Sequence, residues 1–190
     1  MNKAIFLDRD GTINEDVHFL TKIEDIKIFD GVKEALLNFR QNGFLNIIIS
    51  NQSGVARGYM TMNELQGITD EILNTLRNDE NSLINGVFYS PYLAEGKIGK
   101  YKIDHDDRKP KTGMIVKAIN KYDIDKTKSW MIGDSLTDMQ CALTAGIKKI
   151  LVKTGKGKTE LIKCKEANII PEYVAENLLD ASEYILKSGN

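Results

Sequence analysis

Five short runs, residues 4–7, 46–50, 87–89, 130–132 and 150–152, are apolar at almost every position and rich in isoleucine, valine and aromatic residues. A strand with one wet face alternates apolar and polar residues. One that is apolar throughout must be covered on both faces, as the strands of a parallel sheet are. Between these runs, over 31–41, 61–77, 112–122 and 137–145, apolar residues recur at three and four positions, the period of an amphipathic helix, and 177–187 reads as a last helix. Thr61 and Glu64 stand at capping-box spacing, and Gly43 and Gly146 stand where left-handed residues end helices. Strands and helices in alternation imply right-handed crossovers. The expected fold is therefore α/β, a three-layer, doubly wound, mainly parallel sheet of Rossmann-like form. The polar stretch 94–107 has no period and reads as a long loop, and loops of that length in compact domains are often functional.

At 190 residues the chain has room for one substantial domain, expected here over residues 1–190. A net charge of −1 lacks the basic excess that marks a nucleic-acid binder, and none is expected as a partner. No apolar run approaches the roughly 20 residues of a membrane span, and the amino terminus meets charge too soon for a signal peptide. Cys141 and Cys164 have no partner at metal-ligand spacing and read as thiols in a reducing cytoplasm. The expectation is a cytoplasmic monomer that touches no membrane.

Ligands of open α/β sheets bind beyond the carboxyl ends of the strands, so the residues just past each strand are informative. Asp8, Asp10, Gly11 and Thr12 come after the first run, and Ser50, Asn51, Gln52, Ser53 and Gly54 close the second. Arg108, Lys109 and Pro110 end the polar loop, and Gly133, Asp134 and Asp138 come after the fourth run. Taken singly these are ordinary: Asp10-Gly11 is a turn signal, Ser50-Asn51 a cap or turn, and Arg108-Lys109 a solvated pair. Their joint delivery to one sheet edge is not asked for by any packing rule.

The set fits phosphoryl transfer. A carboxylate, Asp8, can attack phosphorus and divide one hard displacement into two easier ones. Asp8, Asp134 and a backbone carbonyl are hard oxygen ligands suited to Mg²⁺. Asp10, two residues on, can protonate the leaving oxygen and then activate water. The Ser50 hydroxyl and the Lys109 ammonium would hold the equatorial oxygens, where charge collects in the transition state.

In that order, Asp8-x-Asp10-Gly11-Thr12, Ser50, Lys109 and Gly133-Asp134-x₃-Asp138 resemble the four motifs of the haloacid dehalogenase superfamily. The longer stretches 6–14, 51–58, 108–114 and 133–142 resemble the D-glycero-D-manno-heptose 1,7-bisphosphate phosphatases, close kin of the histidinol-phosphate phosphatases. The resemblance implies a fold without a large cap domain and removal of the C7 phosphate of the bisphosphate through an aspartyl-phosphate. It implies Asp8 as nucleophile, Asp10 as acid and base, and Ser50 and Lys109 as phosphoryl stabilisers. Mg²⁺ would sit on Asp8, Asp134 and Asp10, the last through its carbonyl. Substrate contacts would come from Asp16, Val17, His18 and Phe19, from Ser50, Asn51, Gln52 and Ser53, and from Arg108 and Lys109. The family often carries a zinc loop before the Arg-Lys-Pro triplet. Its ligand positions here read Ser90, Tyr92, His105 and Asp107. With no thiolate left, no structural zinc is expected, and the loop at about 90–107, a rim of the substrate site, must be held by packing. Val87, Phe88, Tyr89, Ile98, Tyr101 and Ile103 are its candidate apolar contacts. Some relatives carry a lysine directly after the motif-four aspartate, where Ser135 stands in this chain.

A phospho-accepting receiver module also gathers carboxylates, a hydroxyl and a lysine at strand ends, but it has no acid two residues past the acceptor, so Asp10 argues against it. A catalytically silent binding protein would have lost one of Asp8, Asp10 or Asp134. Histidinol-phosphate phosphatase, and after it a polynucleotide 3′-phosphatase or other phosphomonoesterase, are the competing enzyme readings. The anomer preferred and the pathway served lie beyond the sequence.

Overall fold

The computed structural model describes residues 1–189. In chain order its elements are β1 (Lys3–Leu7), α1 (Val32–Gln41), β2 (Phe44–Asn51), α2 (Gly54–Arg57), α3 (Met62–Thr75), β3 (Arg77–Asn78), β4 (Asn81–Ser82), β5 (Gly86–Ser90), α4 (Gly113–Tyr122), β6 (Trp130–Gly133), α5 (Leu136–Ala145), β7 (Lys148–Val152), α6 (Gly157–Glu166), β8 (Tyr173–Ala175) and α7 (Leu178–Lys187). Among the described residues the main sheet has six strands in the order β5-β2-β1-β6-β7-β8. Every pairing in it is parallel. β3 and β4 form a separate two-stranded antiparallel ribbon.

Alternate residues of the central strands point to opposite faces, and both sets are apolar. Ile5 and Leu7 of β1 join Ile48, Ile132 and Ile150 in a cluster closed by Leu36 and Phe39 of α1, Ile68 and Ile72 of α3, and Ala181 and Ile185 of α7. Ala4 and Phe6 turn the other way. They join Ile47, Ile49 and Met131 under Met114, Ile115 and Ala118 of α4 and Cys141 and Ala142 of α5. The layers are thus helix, sheet, helix, as the unbroken apolar runs require. The α3 capping box forms, with the Glu64 amide on the Thr61 hydroxyl (3.2 Å) and the Thr61 amide on the Glu64 carboxylate (2.6 Å). Gly146 caps α5 in the left-handed region at φ 71°.

Five elements of the fold escape the sequence reading, among them β3 and β4, whose two-residue strands begin at Arg77, inside the span expected to be helical. β8 is three residues long at the sheet edge, and α2 is a single turn of four residues, too short for a period to show. α6 buries only Gly157 and Cys164, so its lysine-rich sequence carries almost no apolar stripe.

The long loop is also better ordered than its polar composition suggests. A 3₁₀ turn spans Gly99–Tyr101, and the Lys97 and Ile98 amides donate to the Ala56 carbonyl of α2 at 2.7 and 3.0 Å. Of the apolar contacts expected to hold it, Tyr89 and Tyr101 pack against Val55, Met60 and Leu65. Ile98 and Ile103 do not serve in that way; they are 42% and 45% exposed, and Leu93 is buried instead. Backbone hydrogen bonding to α2 takes the place of the missing packing.

β1 is the centre of the sheet, with β2 on one side and β6 on the other. The chain leaves β1 toward β2 and β5 and returns to the far side for β6. This reversal opens a crevice at the carboxyl ends of β1 and β6, the place where doubly wound sheets bind ligands.

Candidate active site

At the end of β1 the Asp8 amide donates to the Ile132 carbonyl of β6 (3.0 Å), which anchors Asp8 directly over the crevice. The chain then turns tightly. The Ile13 amide reaches the Arg9 carbonyl at 2.8 Å, the Gly11 amide the Asn14 carbonyl at 2.7 Å, and Gly11 adopts φ 89°. Gly11 is required for a further reason: a Cβ there would lie 2.2 Å from Oδ2 of Asp134, and one on Gly155 would lie equally close. Two glycines from different loops clamp the Asp134 carboxylate, whose Oδ2 also accepts the Lys156 amide at 2.8 Å. The Thr154 hydroxyl ties that loop to the Gly11 carbonyl at 2.7 Å.

Lys109 enters from the opposite side. Asn51 holds its backbone twice, through N–H to Oδ1 and Nδ2 to the carbonyl, both at 3.0 Å. Its buried ammonium lies 2.7 Å from Oδ1 of Asp8, 2.6 Å from Oδ1 of Asp138 and 2.9 Å from the Ile49 carbonyl. The ammonium hydrogen-bonds to Asp8 and the Ile49 carbonyl, and Asp138 adds a close ion pair. Burial opposes its charge, but Asp138 and Asp8 outweigh that and hold its pKa above the ordinary lysine value. Asp138 is itself fully buried, and its other oxygen accepts from Ser135 at the start of α5.

Burial pushes Asp8 up to about 7 against the pull of Lys109, with Asp138 adding to the rise. Burial and the neighbouring Asp8 push Asp134 up to about 8. Carboxylate oxygens of Asp8, Asp134 and Asp138 all lie within 4.8 Å of one another. One lysine cannot neutralise three buried carboxylates so placed, and an all-oxygen set of this kind suits a hard divalent cation. The residues present therefore fit Mg²⁺. The Asp10 carboxylate is not part of this group.

Asp10 instead faces its own clamp. Arg9 donates from Nε at 3.0 Å and Nη2 at 2.8 Å, Asn14 from Nδ2 at 2.9 Å and Gln52 from Nε2 at 2.8 Å. Burial works against the charged form, yet the Arg9 guanidinium and these donors hold the Asp10 carboxyl below the usual carboxylate range. Gln52 also donates to the Ser50 hydroxyl oxygen at 2.9 Å, so the Ser50 O–H itself can donate into the cavity.

That cavity, of about 280 Å³, is lined by Asp8, Asp10, Ser50, Lys109 and Asp134 at its base. Asp16, His18, Phe19, Asn51, Gln52, Ser53 and Arg108 line it further out. Of the residues expected there, Val17 alone is not in its wall and is 38% exposed. The side-chain amides of Asn51 and Gln52 are occupied with Lys109, Asp10, Ser50 and Arg9, and so serve positioning. Arg108 donates from Nη1 to the Tyr92 carbonyl at 3.1 Å.

Comparison with known proteins agrees with this geometry. A HAD-hydrolase-like family model matches residues 107–181. The D-glycero-beta-D-manno-heptose-1,7-bisphosphate 7-phosphatase of Haemophilus influenzae is 40% identical over 181 residues, covering 95% of each chain. That of Pasteurella multocida is 42% identical over 177 residues, covering 93% of this chain and 95% of its own. The crystal structure of D,D-heptose 1,7-bisphosphate phosphatase from B. bronchiseptica, complexed with magnesium and phosphate, superposes with a TM-score of 0.85 at 29% identity, covering 98% of this chain and 99% of its own. The chain belongs to this heptose-bisphosphate phosphatase family of HAD-like hydrolases.

The loop residues Tyr92, His105 and Asp107 make contacts of their own. The Tyr92 and His105 rings stack, with centroids 4.0 Å apart and planes 13° from parallel. Asp107 pairs with Lys117 of α4, and its amide donates to Nδ1 of His105 at 3.0 Å.

Six residues of the site have no role assigned from the sequence: Arg9, Asn14, Asp138, Thr154, Gly155 and Lys156. Asp138 stands in a recognised motif, but its hold on Lys109 becomes visible only in space. Thr154 and Lys156 come after β7, and the strand-end rule, applied to that strand as well, points to them.

Proposed function

We propose that this chain hydrolyses D-glycero-D-manno-heptose 1,7-bisphosphate at C7, through an aspartyl-phosphate on Asp8. The observation that carries the reading is the meeting of Asp8, Ser50 and Lys109, far apart in sequence, in one cavity of a chain about 40% identical to heptose-bisphosphate 7-phosphatases over nearly its full length.

Asp8 attacks phosphorus, the bond to the C7 oxygen breaks, and Asp10 delivers a proton to that oxygen. In the second step a water loses its proton to Asp10 and attacks the acyl phosphate, releasing inorganic phosphate and the Asp8 carboxylate. With Arg9, Asn14 and Gln52 holding it ionised, resting Asp10 is poised as the base of the second step. Arrival of an anionic phosphate favours its protonation for the first. Lys109 and the Ser50 hydroxyl meet charge on the equatorial oxygens. Mg²⁺ held by Asp8, Asp134 and the Asp10 carbonyl would supply charge neutralisation between the carboxylate and its anionic target and fix the in-line geometry.

Side-by-side turnover of the α- and β-anomers of the bisphosphate and of histidinol phosphate tests the assignment. The expected result is the highest kcat/KM on one heptose anomer, with the 1-phosphate as product. A higher kcat/KM on histidinol phosphate would overturn it.

A further inference from the structure

Three cationic side chains line the cavity: Arg108, Lys109 and Lys156. Lys109 lies at the base beside Asp8 and Asp138, where it serves the phosphate that is transferred. Arg108 makes a hydrogen bond to the Tyr92 carbonyl and keeps most of its fork of donors for other acceptors. Lys156 is built differently from both. Its backbone is fixed, because its amide donates to the Asp134 carboxylate (2.8 Å) and it opens α6. Its side chain is 61% exposed, and its ammonium reaches across the cavity wall to Oδ2 of Asp16 at 2.6 Å. The other oxygen of Asp16 accepts the His18 amide at 2.9 Å, within the turn that presents His18 and Phe19 to the cavity.

The pair is open to water on the lysine side, with Asp16 only 14% exposed, so the ammonium is partly screened and free to move. A phosphate dianion offers an ammonium more charge and three strong acceptors in place of one carboxylate oxygen. A sugar bisphosphate brings a second phosphate that takes no part in the chemistry, and Arg108 alone gives it one cation. The lining supplies a second on an anchored backbone with a movable tip.

We propose that Lys156 is a specificity-determining residue, whose ammonium leaves Asp16 and, together with Arg108, holds the phosphate that is not transferred. The inference rests on the bisphosphatase reading above.

The test is steady-state kinetics on heptose 1,7-bisphosphate and heptose 7-phosphate, which share the scissile group and differ only in the second phosphate. Lys156→Ala is expected to raise KM for the bisphosphate about 10-fold, the order of a lost hydrogen bond between charged groups. KM for the 7-phosphate and both kcat values are expected to stay within about 2-fold, and Lys156→Arg to restore most of the loss. Lys156→Met retains the apolar stem and serves if the alanine variant folds poorly. Asp16→Asn separates recognition from simple fastening of the loop: it is expected to preserve the preference for the bisphosphate. A rise in KM equal for the two substrates, a parallel fall in kcat, or an Asp16→Asn enzyme that loses the preference as Lys156→Ala does would each overturn the proposal. If the unaltered enzyme shows no preference for the bisphosphate over the 7-phosphate, the substrate reading itself fails and takes this proposal with it.

Discussion

Asp138→Ala removes the one buried partner of Lys109 that the sequence left without a role, and its cost can be worked from the structure. The two side chains are 2% and 0% exposed, with Nζ and Oδ1 2.6 Å apart. Deleting one member of such a pair costs about 3–5 kcal/mol, because the survivor is left charged in a dry place. Lys109 keeps Asp8 and the Ile49 carbonyl, which puts the loss at the lower end, about 3 kcal/mol. Asp138 also completes the α5 capping box with Ser135, worth about 1 kcal/mol more. A loss of about 4 kcal/mol in a chain of this size lowers Tm by roughly 8–16 °C. Asp138→Asn keeps the volume but only one acceptor oxygen, which can face Lys109 or Ser135 and not both, so it should recover only part of that loss. Urea unfolding at constant m-value measures the difference. Lys109→Met made alone and together with Asp138→Ala closes a cycle, and the pair should be less destabilised than the sum by about 2 kcal/mol. Additive losses, or an Asp138→Ala protein within about 1 kcal/mol of the parent, would refute the buried pair as a stabilising contact.

Asp8→Asn should abolish turnover with the fold intact, because an amide is a poor nucleophile, and beryllium fluoride should occupy Asp8 in the parent; near-normal rates in a purified Asp8→Asn enzyme would exclude the covalent path. Gly155→Ala puts a Cβ 2.2 Å from Asp134 Oδ2 and 2.6 Å from the Gly11 Cα at φ 54°, so the Mg²⁺ concentration for half-maximal activity should rise at least about 10-fold, and an unchanged Mg²⁺ titration would show that the loops yield. EDTA should remove activity and Mg²⁺ restore it, while full activity in chelated buffer would refute metal dependence. Elemental analysis should find no stoichiometric zinc, since the Tyr92–His105 stack and the Asp107–Lys117 pair occupy the loop; one tightly bound zinc per chain would contradict this.

Much of the molecule is legible in the order of its residues, for local reasons. Residues 4–7 and 46–50 are apolar on both faces, which only a doubly covered sheet accommodates. Asp8 and Asp134 stand directly after strands, and strand ends in this architecture converge on one crevice. The short edge strand β8, the single turn α2 and the nearly stripe-free α6 are not legible, because period is a signal of length and burial. The polar loop misleads for the same reason: composition reports side chains, whereas backbone hydrogen bonds to Ala56 hold it.

Sequence by itself thus determined the layers, the order of the strands' chemistry and the residue types that reach the crevice. Only the tertiary structure decided how those residues share their charges. Lys109 bridges Asp8 and Asp138, Arg9 and Gln52 hold Asp10 ionised, and Lys156 crosses to Asp16. These contacts depend on angle and distance between segments as far apart in the chain as residues 16 and 156. Hydrophobic period reports which face of an element is buried, but an ion pair forms or fails within an ångström, and that precision is set by the packed sheet alone.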